Sequence, residues 1–204
     1  MADSTKRTRR RYRLGRRAET TGETRQRIVE ATFQLHSERG IADTSMTDIA
    51  ERAGVSVGTV YHHFPCYADA IGACGAYTVE HAPAPGATIF EGASSRAERI
   101  ARLVRALFDY YQRVPALESA RRNRHLAPEL DAFAREEARN RRRLASRAAG
   151  PGGAALAAAL SDIDVYRALR REGFGTADAA GHVAALLNHH LDAGPGTSHR
   201  SVRE

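Results

Sequence analysis

The chain has no tryptophan, two cysteines, and only 13 tyrosine and phenylalanine residues in 204. Two cysteines cannot build a disulfide framework. Cys66 and Cys74 stand eight positions apart on one predicted helix, about 12 Å along its axis and beyond the reach of a bridge. No run approaches the roughly 18 apolar residues of a membrane span, and the charged N-terminal stretch lacks the apolar core of a secretory signal. The expected setting is therefore the cytoplasm, with no membrane partner. A Ser/His/Asp constellation, a phosphate-cradling glycine loop and a ligand-spaced cluster of His, Cys and carboxylates are all missing. An enzyme is not expected, and neither is a cofactor or a metal. The pairs His62-His63 and His189-His190 do not change this, because neighbours on a helix diverge by about 100°.

What is present is positive charge at one end. Through Arg27 there are ten basic residues against three acidic ones, which is the whole net charge of +7. The other 177 residues balance, with 21 of each sign. A neutral globule with a basic arm is the footprint of a polyanion binder, since Lys and Arg neutralise phosphates and release counterions. A solubilising tail has the same composition. The arm alone does not separate DNA from RNA or an anionic surface.

Helical periodicity begins at Thr24, with Ile28, Ala31, Thr32 and Leu35 on one face and Gly40 past the last turn. Ser45-Met46-Thr47-Asp48 has the form of a capping box and opens a short helix through Ala53. Gly54-Val55-Ser56 forms a tight turn, and Ser56 can cap a second short helix from Val57 to about His63. Two short helices about a three-residue turn make a helix-turn-helix, placed at 45–64. Pro65 stops the second helix, and a connecting helix from about Tyr67 to Glu80 leads to the break at Pro83-Ala84-Pro85-Gly86.

In a helix-turn-helix the second helix enters the major groove while the first spans the backbone. Val57, Gly58, Tyr61 and His62 take the outward positions, and Val60 and Phe64 face back toward Ile28, Leu35 and Ile49. Ser45, Thr47, Ser56 and Thr59, at the helix starts, are placed to donate to phosphates. An αα-hairpin within a bundle has the same local pattern.

From Gly22 to about Ala82 the chain resembles the TetR family of bacterial transcriptional regulators. The resemblance is carried by Thr24-Arg25-Gln26-Arg27-Ile28, Gly40, Thr47-Asp48-Ile49-Ala50-Glu51-Arg52-Ala53-Gly54-Val55-Ser56, and Gly58-Thr59-Val60-Tyr61-His62-His63-Phe64. It implies an all-α protein: a three-helix helix-turn-helix DNA-binding domain joined by a connecting helix to a helical effector-binding and dimerisation domain. It further implies a homodimer on a palindromic double-stranded operator, acting as a repressor relieved by a small-molecule effector. Thr59 and Tyr61 look like phosphate contacts, Val57, Gly58 and His62 would face bases, and His63 joins the DNA-facing set. The family commonly has lysine where this chain has Tyr67, whose hydroxyl would have to reach the phosphate instead. The arm would run along the minor groove. The domains are then a basic arm without fixed structure (1–21), the DNA-binding domain (22–82) and the effector and dimerisation domain (83–204).

The second half is helical throughout. Ile100, Leu103, Val104, Leu107, Phe108 and Tyr111 form a full apolar stripe. Pro128 opens a helix with Leu130, Phe133 and Leu144 inward. Two helices follow, Ala154 to about Glu172 and Ala177 to about Ala193. Their stripes are Leu156, Leu160, Ile163 and Tyr166 on one, and Val183, Leu186, Leu187 and His190 on the other. Pairing two copies into a four-helix bundle would bury both stripes, as would packing inside the monomer. For the effector, Phe108, Tyr111, Phe133 and Tyr166 are the candidate walls, with Arg121, Arg122, Arg124 and His125 to meet an acidic group. Simple core aromatics and a solvated arginine face fit the same residues.

Overall fold

The computed structural model describes residues 21–193. The expected basic arm, apart from Thr21, lies outside the described residues. Among these every regular element is helical, as the periodicity predicts. They are α1 (21–38), α2 (Met46–Ala53), α3 (Val57–His63), α4 (Tyr67–His81), a 3-10 turn (Ala87–Phe90), α5 (Arg96–Arg113), α6 (Ala116–Arg122), α7 (Pro128–Ala149), α8 (Ala154–Leu160), α9 (Ile163–Arg171) and α10 (Thr176–Asp192). No helix is long and apolar enough to cross a membrane among the described residues.

The chain divides into two units. The first takes in the described residues up to His81 together with Ser119–Asp131; the second takes in Ala82–Glu118 and the described residues from Ala132 on. Residues 119–131, expected in the C-terminal domain, therefore group with the helix-turn-helix. Direct bonds account for this: Ser119 Oγ accepts the Ile41 amide at 2.7 Å, and the Glu129 side chain lies against Gly72.

In the first unit one apolar cluster joins Ile28 and Leu35 of α1, Ile49 of α2, Val60 of α3 and Phe64. These five side chains are at most 2% exposed. Burying them stabilises the unit by roughly 1.5–3 kcal/mol each, before the entropy of ordering them is charged. Thr32, also on the buried face of α1, returns its hydroxyl to the Ile28 carbonyl at 2.7 Å.

The second unit is built on the α5 stripe, whose six expected residues are all at most 2% exposed. α10 packs along α5. The single helix expected from Ala154 is broken in two. Ser161 turns its hydroxyl back to the Ala157 carbonyl at 2.6 Å, and Asp162 accepts the Asp164 amide at 2.9 Å, capping α9. Adjacent Ser and Asp offer the backbone local bonds that compete with helix continuation. The expected stripes also divide. Ile163, Tyr166, Val183 and Leu187 are buried within their own unit, whereas Leu186 is 64% exposed and His190 is exposed.

Candidate nucleic-acid interface

The helix-turn-helix is held by caps that its own sequence supplies. Ser45 Oγ accepts the Asp48 amide at 3.2 Å, and Asp48 Oδ2 accepts the Ser45 amide at 2.8 Å, completing the capping box. α2 ends at Gly54, which takes a left-handed conformation with φ of 66° and donates its amide to Ala50 and Glu51. A side chain there would cost about 1–2 kcal/mol. Ser56 then caps α3, its Oγ accepting the Thr59 amide at 3.1 Å. Val60 is fully buried and fixes the rotation of α3 about its axis.

That rotation turns Val57, Gly58, Tyr61 and His62 outward, as the sequence predicts. Val57 is 37% and Tyr61 49% exposed, high for side chains of their size and polarity. Gly58 has no structural reason to lack a side chain: a β-carbon there would meet only Ser56 Oγ, at 3.8 Å. Glycine in a helix costs about 1 kcal/mol against alanine, and the packing around its β-carbon position does not call for it. Thr47 is exposed at the start of α2.

The hydroxyls divide into engaged and available. Ser45 donates to Asp48 Oδ2 at 2.6 Å, so the expectation that it donates to a phosphate is corrected. Asp48 is shifted below its ordinary carboxylate value, by the Ser45 bonds first and by Arg39 beside it, 3.2 Å away. Its negative charge occupies the α2 start. α3 has no acidic residue in its first turn, and the Ser56 and Thr59 hydroxyls share one bond at 2.8 Å. One of their two protons thus remains to point outward.

Tyr67 is corrected as well. Its hydroxyl donates to the Ile41 carbonyl at 2.5 Å and receives His36 Nε2 at 2.9 Å, leaving no proton for a phosphate. Burial pushes this phenol up and lowers His36 to about 4, so His36 is neutral and donates through Nε2. His63, half-buried, is shifted down by partial desolvation and then by the charges of His62 and Arg25. Arg25 holds its guanidinium 5.0 Å from the centre of the Phe64 ring, a cation–π contact that fixes a positive charge at the end of α3. Sequence reading counted Arg25 with the basic arm and missed this placement, though its spacing from the apolar face of α1 carried the signal. Arg52 is not available in the same way, being bonded to both oxygens of Glu38 at 2.8 and 2.7 Å.

The candidate effector residues do not form one site. Phe108 and Tyr111 are at most 2% and Tyr166 7% exposed, and their ring centres lie 5.1 to 6.3 Å apart within the core of the second unit. Phe133 packs partly buried against the same core. These aromatics fill the interior instead of walling a cavity. Arg121, Arg122, Arg124 and His125 fall in the segment belonging to the first unit. What sequence reading missed is a buried polar group beside the aromatics. Tyr111 donates to Glu137 at 3.2 Å and to the Ser161 carbonyl at 3.1 Å, while Arg141 pairs with Glu137 and with Asp162. A groove of about 430 Å³ lies elsewhere in this unit, between Ile89 and the α5 residues Glu98, Arg102, Arg105 and Asp109.

Residues 28–65 match the family model described as bacterial regulatory proteins, tetR family. The HTH-type transcriptional regulator TtgR of Pseudomonas putida is 47% identical over 49 residues, 24% of this chain and 23% of that protein. The chain thus matches about a quarter of the length of such curated relatives. Solved structures extend the likeness. SCO7518 from Streptomyces coelicolor A3(2) is 30% identical, covering 81% of this chain and 98% of that one with a TM-score of 0.53. The multidrug binding protein EbrR, complexed with proflavin, shares the fold at 20% identity, with 81% and 98% covered and a TM-score of 0.54. The capped helix-turn-helix, the match over 28–65 and the all-helical neighbours agree: this chain belongs to the tetR family of bacterial regulatory proteins.

Proposed function

We propose that the protein is a sequence-specific DNA-binding transcriptional regulator that works as a homodimer. The observation that carries this is the outward face of α3, where Gly58 sits between exposed Val57 and Tyr61 on a helix anchored by fully buried Val60. Val57, Gly58 and His62 face base edges in the major groove. Tyr61, Thr59, Thr47 and Arg25 hold phosphates, and His63 lies at the rim of the contact.

The homodimer forms on the faces of α8 and α10 left open by monomer packing, where Ala155, Ala159, Ala185 and Leu186 are exposed. These small residues allow close approach, and Leu186 supplies apolar area to bury. Two copies then present α3 to half-sites about one helical turn apart, which calls for a palindromic operator. A dimer seated across the major groove at a promoter blocks access to it, giving repression. A small molecule bound in the second unit relieves repression by favouring a dimer whose half-site spacing no longer matches. EbrR, of like fold, is complexed with proflavin, and in the second unit of this chain the groove between Ile89 and the α5 residues Glu98, Arg102, Arg105 and Asp109 offers charged groups to such a molecule. The setting is the cytoplasm, where the operator is.

Selection of bound fragments from a random duplex library at near-physiological salt tests the reading. A palindrome is expected. Binding without a motif would favour the alternative, a non-specific nucleic-acid binder acting through the basic stretch before Thr21.

A further inference from the structure

Ile41, in the turn between α1 and α2, has its main chain held from two sides. Its carbonyl accepts the Tyr67 hydroxyl of α4 at 2.5 Å, and its amide donates to Ser119 Oγ of α6 at 2.7 Å. The turn is shaped for this contact. Gly40 has a φ of 93°, and a β-carbon on it would lie 2.9 Å from Ser119 Oγ, so both the backbone conformation and the space call for glycine. Asn123 Nδ2 donates to the Ser119 carbonyl at 2.9 Å and to its hydroxyl at 3.3 Å, orienting the serine from one turn further along. Only three residues separate Ile41 from the Ser45 cap of α2, and Thr44 bridges part of that distance with a 2.8 Å bond to the Gly40 carbonyl. From Ser45 onward α2, the turn and α3 form one capped body. The Ile41 main chain is therefore the point at which α4 and α6 fix the angle of the reading helices against α1.

We propose that Ser119 is a positioning residue for DNA recognition: through the Ile41 amide it sets the pose of α2 and α3, although it lies far from them in the chain and faces no DNA. The inference rests on the DNA-binding reading given above.

Its test uses the full chain with Ser119→Ala and Ser119→Thr, the duplex selected by the wild type, and a scrambled duplex of equal length. Ser119→Ala is expected to weaken binding to the selected duplex about tenfold, leaving affinity for the scrambled duplex and the salt slope unchanged, because no phosphate contact is lost. Ser119→Thr, which keeps the hydroxyl, is expected to restore binding. Unchanged affinity in Ser119→Ala would overturn the proposal. So would an equal loss on both duplexes accompanied by a fall in melting temperature, which would mark a merely structural serine. Should the wild type select no duplex, the DNA-binding reading fails, and hydrogen exchange at the Ile41 amide decides the positioning claim by itself. Slow exchange in the wild type with at least tenfold faster exchange in Ser119→Ala, against unchanged exchange in the α2 amides, supports a local hold on the turn; equal rates overturn it.

Discussion

The two units satisfy their polar groups in different ways. Around the helix-turn-helix the bonds are mostly local: Ser45 with Asp48, Ser56 with Thr59 and Thr44 with Gly40 are three or four residues apart. In the second unit they reach across the sequence. Tyr111 bonds residues 26 and 50 positions away, and Arg141 is held by Asp162 on another helix. The first arrangement frees an outward face for contact, since the fold asks nothing of it. The second places charge inside, where each partner depends on the others.

The largest expected effect comes from breaking that dependence. Arg141→Met leaves Glu137 and Asp162 without their shared cation and should cost about 3–5 kcal/mol in a denaturant titration followed by circular dichroism. A loss under about 1 kcal/mol would show that the cluster is solvated and that the contrast between the units is overstated.

Among the long-range bonds of the first unit, one is made by a buried titratable group: His36, bonded to Tyr67 31 positions away. Its pKa falls from 6.5 to about 4 through burial. Folding therefore favours the neutral ring, so its contribution is fully present above pH 6.5 and is lost as pH falls toward 4, by about 3 kcal/mol in all. His36→Gln, able to donate to the same hydroxyl, should flatten stability against pH across that window. An unaltered profile would mean that His36 titrates normally.

A smaller effect separates recognition from stability. His62→Ala should leave the melting temperature unchanged and relax base preference at one position per half-site by about 1–3 kcal/mol. The same motif selected by the variant would remove His62 from the base-reading set. Smallest is the cap: Ser45→Ala should destabilise by about 1 kcal/mol, seen as a modest fall in melting temperature, without changing the selected motif.

The contrast also explains what could be read from the sequence. Gly54, the capping box and the Ile28 to Leu35 face act within a few residues, so pattern alone located α1 to α3 and turned Val60 inward and Val57 outward. The Tyr67 hydroxyl was misread because its partners, Ile41 and His36, are brought to it only by folding. Ser119 was invisible for the same reason. In the second half, periodicity found the α5 stripe but could not tell core aromatics from pocket walls. That distinction rests on Glu137 and Arg141, whose burial on a helix rich in charge has no periodic signature. The break at Ser161-Asp162 was legible in principle, since both residues are strong competitors for helix backbone.

Gly58 offers the most direct test of the reading helix. Gly58→Leu improves helix propensity by about 0.8 kcal/mol, and its β-carbon meets only Ser56 Oγ, at 3.8 Å, so folding is expected to be unimpaired. The measurement is the affinity ratio between the selected and the scrambled duplex, at one salt concentration, for wild type and variant. If α3 lies against base edges, the ratio falls about tenfold or more while the melting temperature holds or rises. An undiminished ratio would contradict the account, because it would leave the exposed face of α3 with no part in recognising DNA.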